Sequence, residues 1–60
     1  MWKGKRTEKL DVLYDEYYEK FGCEPDWYDE VNYQMMSYEE YVAYIEEAID
    51  IGEELPDILK

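Results

Sequence analysis

The chain has 60 residues, of which 17 are acidic and 6 are basic, and it contains one cysteine and no histidine. A chain this short forms at most one domain, and it buries so little surface that dense packing or self-association must help to stabilise it. A single cysteine excludes an internal disulfide. Because the usual ligands of zinc are cysteine and histidine, the composition also disfavours a zinc site.

The compartment can be predicted from the same composition. A lone cysteine suits a reducing environment. The basic start, MWKGKR, is not followed by the apolar run of a signal peptide, and no window approaches the roughly 20 apolar residues of a membrane span. We expect a soluble cytoplasmic protein that does not bind membranes. A secreted dimer joined through Cys23 is the alternative.

The charge is distributed unevenly along the chain. Residues 1–9 carry four basic side chains and one acidic side chain, whereas residues 10–60 carry sixteen acidic and two basic side chains. Such an acidic body repels nucleic acid and anionic membranes, and it attracts basic protein surfaces. We expect residues 1–6 to form a flexible basic arm and residues 7–60 to form a single helical domain. Within the arm, Trp2 is a candidate apolar anchor, and a frayed terminus is the alternative that we favour.

The first predicted helix covers residues 8–21. Thr7 is a suitable N-cap, Gly22 is a suitable C-terminal cap, and Pro25 prevents further helix. The apolar residues recur at helical spacing, and they are Leu10, Leu13, Tyr14, Tyr17, Tyr18 and Phe21.

The segment 23–36 has no clear periodicity. Pro25 favours a short helical turn over residues 26–31, and the following residues favour an extended strand-like run that ends at Ser37. Its apolar side chains are numerous enough to cover a two-helix core. They are Trp27, Tyr28, Val31, Tyr33, Met35 and Met36.

The second helix, over residues 38–51, is the best defined element. Ser37 and Glu40 form the S-x-x-E pattern of a capping box, and Gly52 can close the helix in the left-handed conformation. The tail after Gly52 can fold back through Leu55. The prediction is an all-α fold, namely an antiparallel two-helix hairpin of residues 8–21 and 38–51 with an aromatic-rich connector, which can include a short third helix, packed across it.

The apolar face of the second helix is wider than one neighbouring helix covers. At about 100° per residue, its apolar positions extend over roughly half the circumference. The connector and the tail, a second copy of the chain or another protein can complete the burial. If the face is an interface, we expect it to be formed by Trp27, Met35, Met36, Tyr44 and Ile51. If it is not, the eight tyrosines serve as core aromatics.

The acidic side chains lie where they do not favour helix stability. Asp11, Asp15 and Glu19 form a ladder of like charges at i, i+4 and i+8, and further acidic residues crowd the C-terminus of the second helix, where the helix dipole prefers cations. Solubility is one explanation. A cationic partner is the other, and the candidate binding residues are Asp11, Asp15, Glu16, Glu19, Glu46, Glu47, Asp50, Glu53 and Glu54.

In size, in acidity and in its runs of Asp and Glu with Tyr, the chain resembles the small acidic inhibitors of phages and other mobile elements, which include DNA mimics and some anti-CRISPR proteins. Carboxylates on successive helical turns lie about 4.5–6 Å apart along the axis, which is somewhat wider than the spacing of about 3.4 Å between charges of one DNA strand. The resemblance implies a basic partner protein, with a nucleic-acid-binding surface that the acidic chain occupies, and no direct contact with nucleic acid.

Two other functional classes have little support. Asp26, Asp29, Glu30 and Asn32 are oxygen ligands close together, but they do not follow a calcium-loop pattern. Cys23 lacks a histidine to activate it, and its acidic neighbours disfavour the thiolate. We therefore expect no enzyme activity, no cofactor and no metal site. The sequence predicts an acidic protein-binding module, and the alternative is a homodimerisation or assembly module that acts through its Tyr, Met and Trp side chains.

Overall fold

The computed structural model of the protein describes residues 1–59. Its elements are helix α1 (Glu8–Phe21), a 3₁₀ helix (Tyr33–Met35), helix α2 (Tyr38–Ile51) and helix α3 (Leu55–Ile58). Residues 1–59 contain no β-strand. The predicted all-helical class, with two long packed helices and a short third one, is confirmed.

The ends of both long helices are fixed by the predicted caps. The hydroxyl of Thr7 accepts a hydrogen bond from the Leu10 amide at 3.2 Å, and Ser37 and Glu40 form the complete capping box. Gly22 and Gly52 end the helices with φ values of 80° and 78°. Because a side chain is strained in this left-handed region, glycine is the residue that each position favours.

The connector differs from its prediction. Residues 26–31 contain isolated turns rather than a helical turn, and the segment predicted to be extended contains the 3₁₀ helix. Hydrogen bonds of the Tyr33 side chain within the connector account for the difference, because its hydroxyl donates to the Pro25 carbonyl at 2.6 Å and accepts from the Tyr28 amide at 3.2 Å. The chain must curl tightly to bring Tyr33 back over Pro25. The short third helix forms after Gly52 instead, with Pro56 in its first turn.

The relative direction of the long helices also differs from the prediction. The two helices run in the same direction, because their N-terminal ends lie together and their C-terminal ends lie together. At the N-terminal ends, the hydroxyls of Thr7 and Tyr38 are 2.6 Å apart. At the C-terminal ends, Cε of Lys20 lies 3.7 Å from the position of a Cβ on Gly52. An antiparallel pair would separate each of these contacts by nearly the full helix length of about 21 Å. Residues 22–37 return the chain to the starting end, and at about 3.3–3.6 Å per extended residue they are long enough to do so.

The chain itself covers most of the wide face of α2. The twelve core side chains come from α1, α2, the connector and α3, and they are Leu10, Leu13, Tyr14, Tyr17, Tyr28, Val31, Tyr33, Tyr41, Val42, Ile45, Ala48 and Leu55. Tyr44 and Ile49 are partly buried against this core, and Ile51 is half exposed. The connector and the tail therefore complete the burial that one helix could not.

The N-terminal segment reaches the core through Trp2. The Trp2 ring stacks on Tyr41 with 4.4 Å between ring centroids, and its indole N–H donates to the Lys5 carbonyl at 3.0 Å. A Cβ on Gly4 would lie 2.4 Å from the indole ring, so the close turn there accommodates only glycine. Trp2 thus anchors this segment to the core, and the frayed terminus that the sequence favoured is not what the structure shows.

Candidate functional site

The buried tyrosines are paired through their hydroxyls. Tyr14 and Tyr41 are 2.7 Å apart, and Tyr17 and Tyr28 are 2.6 Å apart. Burial raises the pKa of Tyr14 to about 12, and it also raises the pKa values of Tyr17, Tyr28, Tyr33 and Tyr41. In residues 1–59 no buried side-chain nitrogen or oxygen lacks a hydrogen-bond partner. These tyrosines therefore belong to the core.

One hydrogen-bond chain ends on a predicted binding residue. The Leu55 amide donates to the Tyr17 hydroxyl at 3.1 Å, and the Tyr28 hydroxyl donates to Oε1 of Glu54 at 2.7 Å. Since the Tyr28 proton is directed to Glu54, the Tyr17 hydroxyl donates to Tyr28. Glu54 thus helps to hold the tail against the core, in addition to any role in binding.

Two further predicted binding residues have basic partners within the chain. Nε of Arg6 donates to Asp11 at 2.7 Å, and this hydrogen bond raises the pKa of Arg6. Nζ of Lys9 lies 3.6 Å from a carboxylate oxygen of Glu46. The basic N-terminal residues therefore neutralise one end of the predicted ladder and one flank of α2.

The other six predicted acids are exposed, and none forms a side-chain hydrogen bond or an ion pair with another residue of the segment 1–59. They are Asp15, Glu16, Glu19, Glu47, Asp50 and Glu53. At about 100° per residue, Lys9 and Lys20 share one flank of α1, and both contact α2. By the same spacing, Asp15 lies about 120–140° and Glu19 about 80–100° from these two lysines around the helix axis. The predicted acids thus form two groups on different sides of the molecule.

The α1 group is extended by residues that were not among the predicted binding residues. A shallow groove of about 470 Å³ is bordered by Asp15, Glu16 and Glu19 of the predicted set, and also by Val12, Tyr14, Tyr18 and Glu24. Val12 and Tyr18 are each 57% exposed. The position of Tyr18 at the edge of the apolar face could have indicated its exposure, whereas Glu24 reaches this groove only because of how the connector leaves Gly22.

Because like helix ends are adjacent, negative charge is concentrated at one end of the molecule. The C-terminus of each helix carries a partial charge of about −0.5. The side chains that follow or precede these ends include Glu19, Glu24, Asp50, Glu53 and Glu54, and one basic side chain, Lys20, also lies there. We call these five carboxylates and the C-terminal ends of α1 and α2 the acidic pole. Its potential favours a cationic partner more than either helix alone would.

The predicted apolar interface is only partly assembled. Met35, Met36 and Tyr44 border one groove of about 480 Å³. Trp27, which is 66% exposed, borders a different groove beside Tyr18, and Ile51 borders neither. The fold therefore brings three of the five residues together, with Met35 the most exposed at 78%.

No protein-family model, curated protein or solved structure matches the chain. None of the helices in residues 1–59 has the length and apolar character needed to cross a membrane. Within residues 1–59, no three acidic or cysteine side chains lie close enough together to hold a metal ion. Asp26, Asp29 and Glu30 therefore do not form a cluster of metal ligands.

Proposed function

We propose that the protein is an acidic binding module that occupies a basic, nucleic-acid-binding surface of a partner protein and thereby inhibits it. The observation that carries this proposal is a group of carboxylates, partly within the acidic pole and partly next to it, that have no ion-pair partner in residues 1–59. Asp15, Glu19 and Glu24 share one groove, and none of them has an ion-pair partner in residues 1–59.

The distribution of ion pairs within the chain supports the proposal that the groove carboxylates bind a partner. Arg6 and Lys9 pair with Asp11 and Glu46, and so leave the groove carboxylates uncompensated. Like charges on successive helical turns destabilise the helix by about 0.2–0.5 kcal/mol per pair. A cationic surface relieves this repulsion when it binds, and its affinity falls as salt screens the attraction.

Matched bait variants test the proposal. The protein is immobilised, proteins are captured from a cell lysate at low and moderate salt, and the captured protein is purified for quantitative binding. Asp15→Lys with Glu19→Lys is compared with Asp29→Lys and Glu30→Lys, which changes the same residue types and the same net charge at exposed connector positions.

We expect the Asp15/Glu19 variant to lose most of its binding and most of its salt dependence, and the connector variant to bind nearly as wild type. The captured protein should also release its nucleic acid when wild type is added. Equal weakening in both variants would show that net charge alone matters, and binding that ignores both changes would eliminate the proposal.

A second candidate function rests on the groove bordered by Met35, Met36 and Tyr44. An exposed methionine pair beside a tyrosine is adaptable and apolar, as is common at protein interfaces. If this groove forms a homodimer, light scattering at low micromolar concentration gives a salt-resistant dimer, and Met35→Lys abolishes it. A monomer whose partner binding disappears at moderate salt favours the acidic binding module.

A further inference from the structure

We propose that Asp15, Tyr18, Glu24 and Trp27 form a clamp for an arginine side chain of the basic partner. This inference rests on the proposed function and specifies its chemistry, because it assigns the contact to the guanidinium group rather than to positive charge in general.

The molecule already contains one such contact within its own chain. The guanidinium carbon of Arg6 lies 4.0 Å from the centroid of the Tyr14 ring, and Nε of the same side chain donates to Asp11 at 2.7 Å. Asp11 and Tyr14 are three residues apart on α1, so the carboxylate and the ring are neighbours on the helix surface. An aspartate and a tyrosine at this spacing therefore hold an arginine here.

The same pair of residue types occurs again one turn along α1. Asp15 and Tyr18 also stand three residues apart, in the sequence DVLYDEYY that begins at Asp11. Tyr18 is 57% exposed, whereas Tyr14 is buried. The second pair thus presents a more accessible ring and a carboxylate that has no ion-pair partner in residues 1–59.

The connector adds a second ring and a second carboxylate to this pair. A groove of about 350 Å³ is bordered by Tyr18, Gly22, Cys23, Glu24 and Trp27. Tyr18 and Glu24 also border the neighbouring groove, which contains Asp15. Trp27 packs against the buried Tyr28 ring, with 6.3 Å between centroids and 59° between planes, and remains 66% exposed. Its indole therefore lies beside the core and remains largely accessible.

The groove also lies at the C-terminal cap of α1, where the helix dipole is negative. Aromatic faces attract cations, and tryptophan does so most strongly. The guanidinium group is planar, is weakly hydrated and pairs with carboxylates through two parallel hydrogen bonds, whereas an ammonium group is compact and strongly hydrated. Two rings, two carboxylates and a helix C-terminus favour arginine over lysine.

The partner must supply this arginine. Arg6 is the single arginine of the chain, and it is engaged by Tyr14 and Asp11. The net charge of −11 makes a second copy of the chain a poor source of cations. We therefore assign the clamp to a basic protein.

The test uses two synthetic peptides of equal length and charge, one alternating arginine with serine and the other alternating lysine with serine. Binding to the full-length protein is measured by calorimetry at low salt. For wild type we expect the arginine peptide to bind about three- to tenfold tighter than the lysine peptide. Trp27→Ala and Tyr18→Ala should remove this preference, and Met35→Ala, which truncates a more exposed apolar side chain outside the clamp, should preserve it.

The outcomes separate the two proposals. Glu16→Gln with Glu19→Gln leaves the four clamp residues intact and should weaken both peptides, which tests the acidic surface alone. If wild type binds both peptides equally, or if Trp27→Ala keeps the preference, the clamp is wrong and the acidic surface stands. If neither peptide binds, both proposals fail.

Light scattering of wild type and Trp27→Ala checks self-association. A dimer that dissociates on this substitution would assign the groove to a second copy of the chain and overturn the clamp. Helical circular dichroism confirms that each variant is folded.

Discussion

The hydroxyl of Thr7, the N-cap of α1, lies 2.6 Å from the hydroxyl of Tyr38, the first residue of α2. This contact joins the beginnings of two helices, so their C-termini also lie together. The acidic pole is a direct consequence, because it combines two negative helix ends with the carboxylates around them. The functional proposals depend on this arrangement more than on the composition of the chain.

Distances between spin labels test the direction of the helices. With Cys23→Ser to remove the native thiol, Glu8→Cys paired with Glu39→Cys labels the two N-terminal ends, and Glu8→Cys paired with Asp50→Cys labels opposite ends. We expect the first distance to be shorter by a large part of the helix length of about 21 Å. A shorter distance between the labels at residues 8 and 50 would support an antiparallel hairpin, in which the two helix C-termini would not lie together and no acidic pole would form.

The hydrogen bond from Tyr28 to Glu54 predicts unequal effects at two adjacent glutamates. Glu54→Ala removes the acceptor of the Tyr28 hydroxyl, and we expect it to lower the free energy of unfolding by about 1–2 kcal/mol. Glu54→Gln keeps an acceptor oxygen and should recover much of this loss. Glu53→Ala removes the same charge without an internal hydrogen bond, so chemical denaturation should show little loss. Equal losses at both positions would contradict the role assigned to Glu54.

The paired tyrosines predict loss of the fold at alkaline pH. An unfolded tyrosine has a pKa near 10, and burial raises the pKa of Tyr14 to about 12. The folded state therefore favours the protonated hydroxyl. This contribution to stability is complete below pH about 10 and is lost as the pH rises from about 10 to about 12. Tyrosinate absorbance and helical circular dichroism should change together over this range. Full ionisation near pH 10 with the helices intact would contradict the prediction.

Opposite ends of α2 should respond differently to the same charge change. Asp50→Lys places a cation at the C-terminus and should stabilise the protein by about 0.3–1 kcal/mol. Glu39→Lys places a cation in the first turn and should stabilise less or destabilise. Both substitutions reduce the net negative charge by the same amount, so self-repulsion alone predicts equal stabilisation. Thermal unfolding at low salt distinguishes these cases.

The local features of the fold could be predicted from the sequence because their causes are local. Helical spacing, the capping box at Ser37 and the closing glycines determine each helix within its own residues. The direction of packing depends instead on the connector, whose course is set by contacts such as Tyr33 with Pro25. Short connections usually join antiparallel helices, and nothing in the local pattern indicated that residues 22–37 return the chain to its starting end.

The candidate site shows the same division. The exposure of Asp15, Glu16 and Glu19 followed from the helical pattern. Internal partners of Asp11, Glu46 and Glu54 could not be foreseen, because each partner comes from a distant element or from the N-terminal segment. Glu24 and Trp27 joined the α1 group for the same reason, since only the course of the connector places them beside Tyr18.

Displacement of nucleic acid is the most direct test of the central claim. A fluorescent nucleic acid is bound to the captured partner protein, and wild type, the Asp15→Lys/Glu19→Lys variant and the Asp29→Lys/Glu30→Lys variant are titrated into the complex. We expect displacement by wild type and by the connector variant, with an affinity that falls steeply as salt is added, and little displacement by the Asp15/Glu19 variant. Equal displacement by all three proteins, or a ternary complex in which the nucleic acid stays bound, would contradict the central claim.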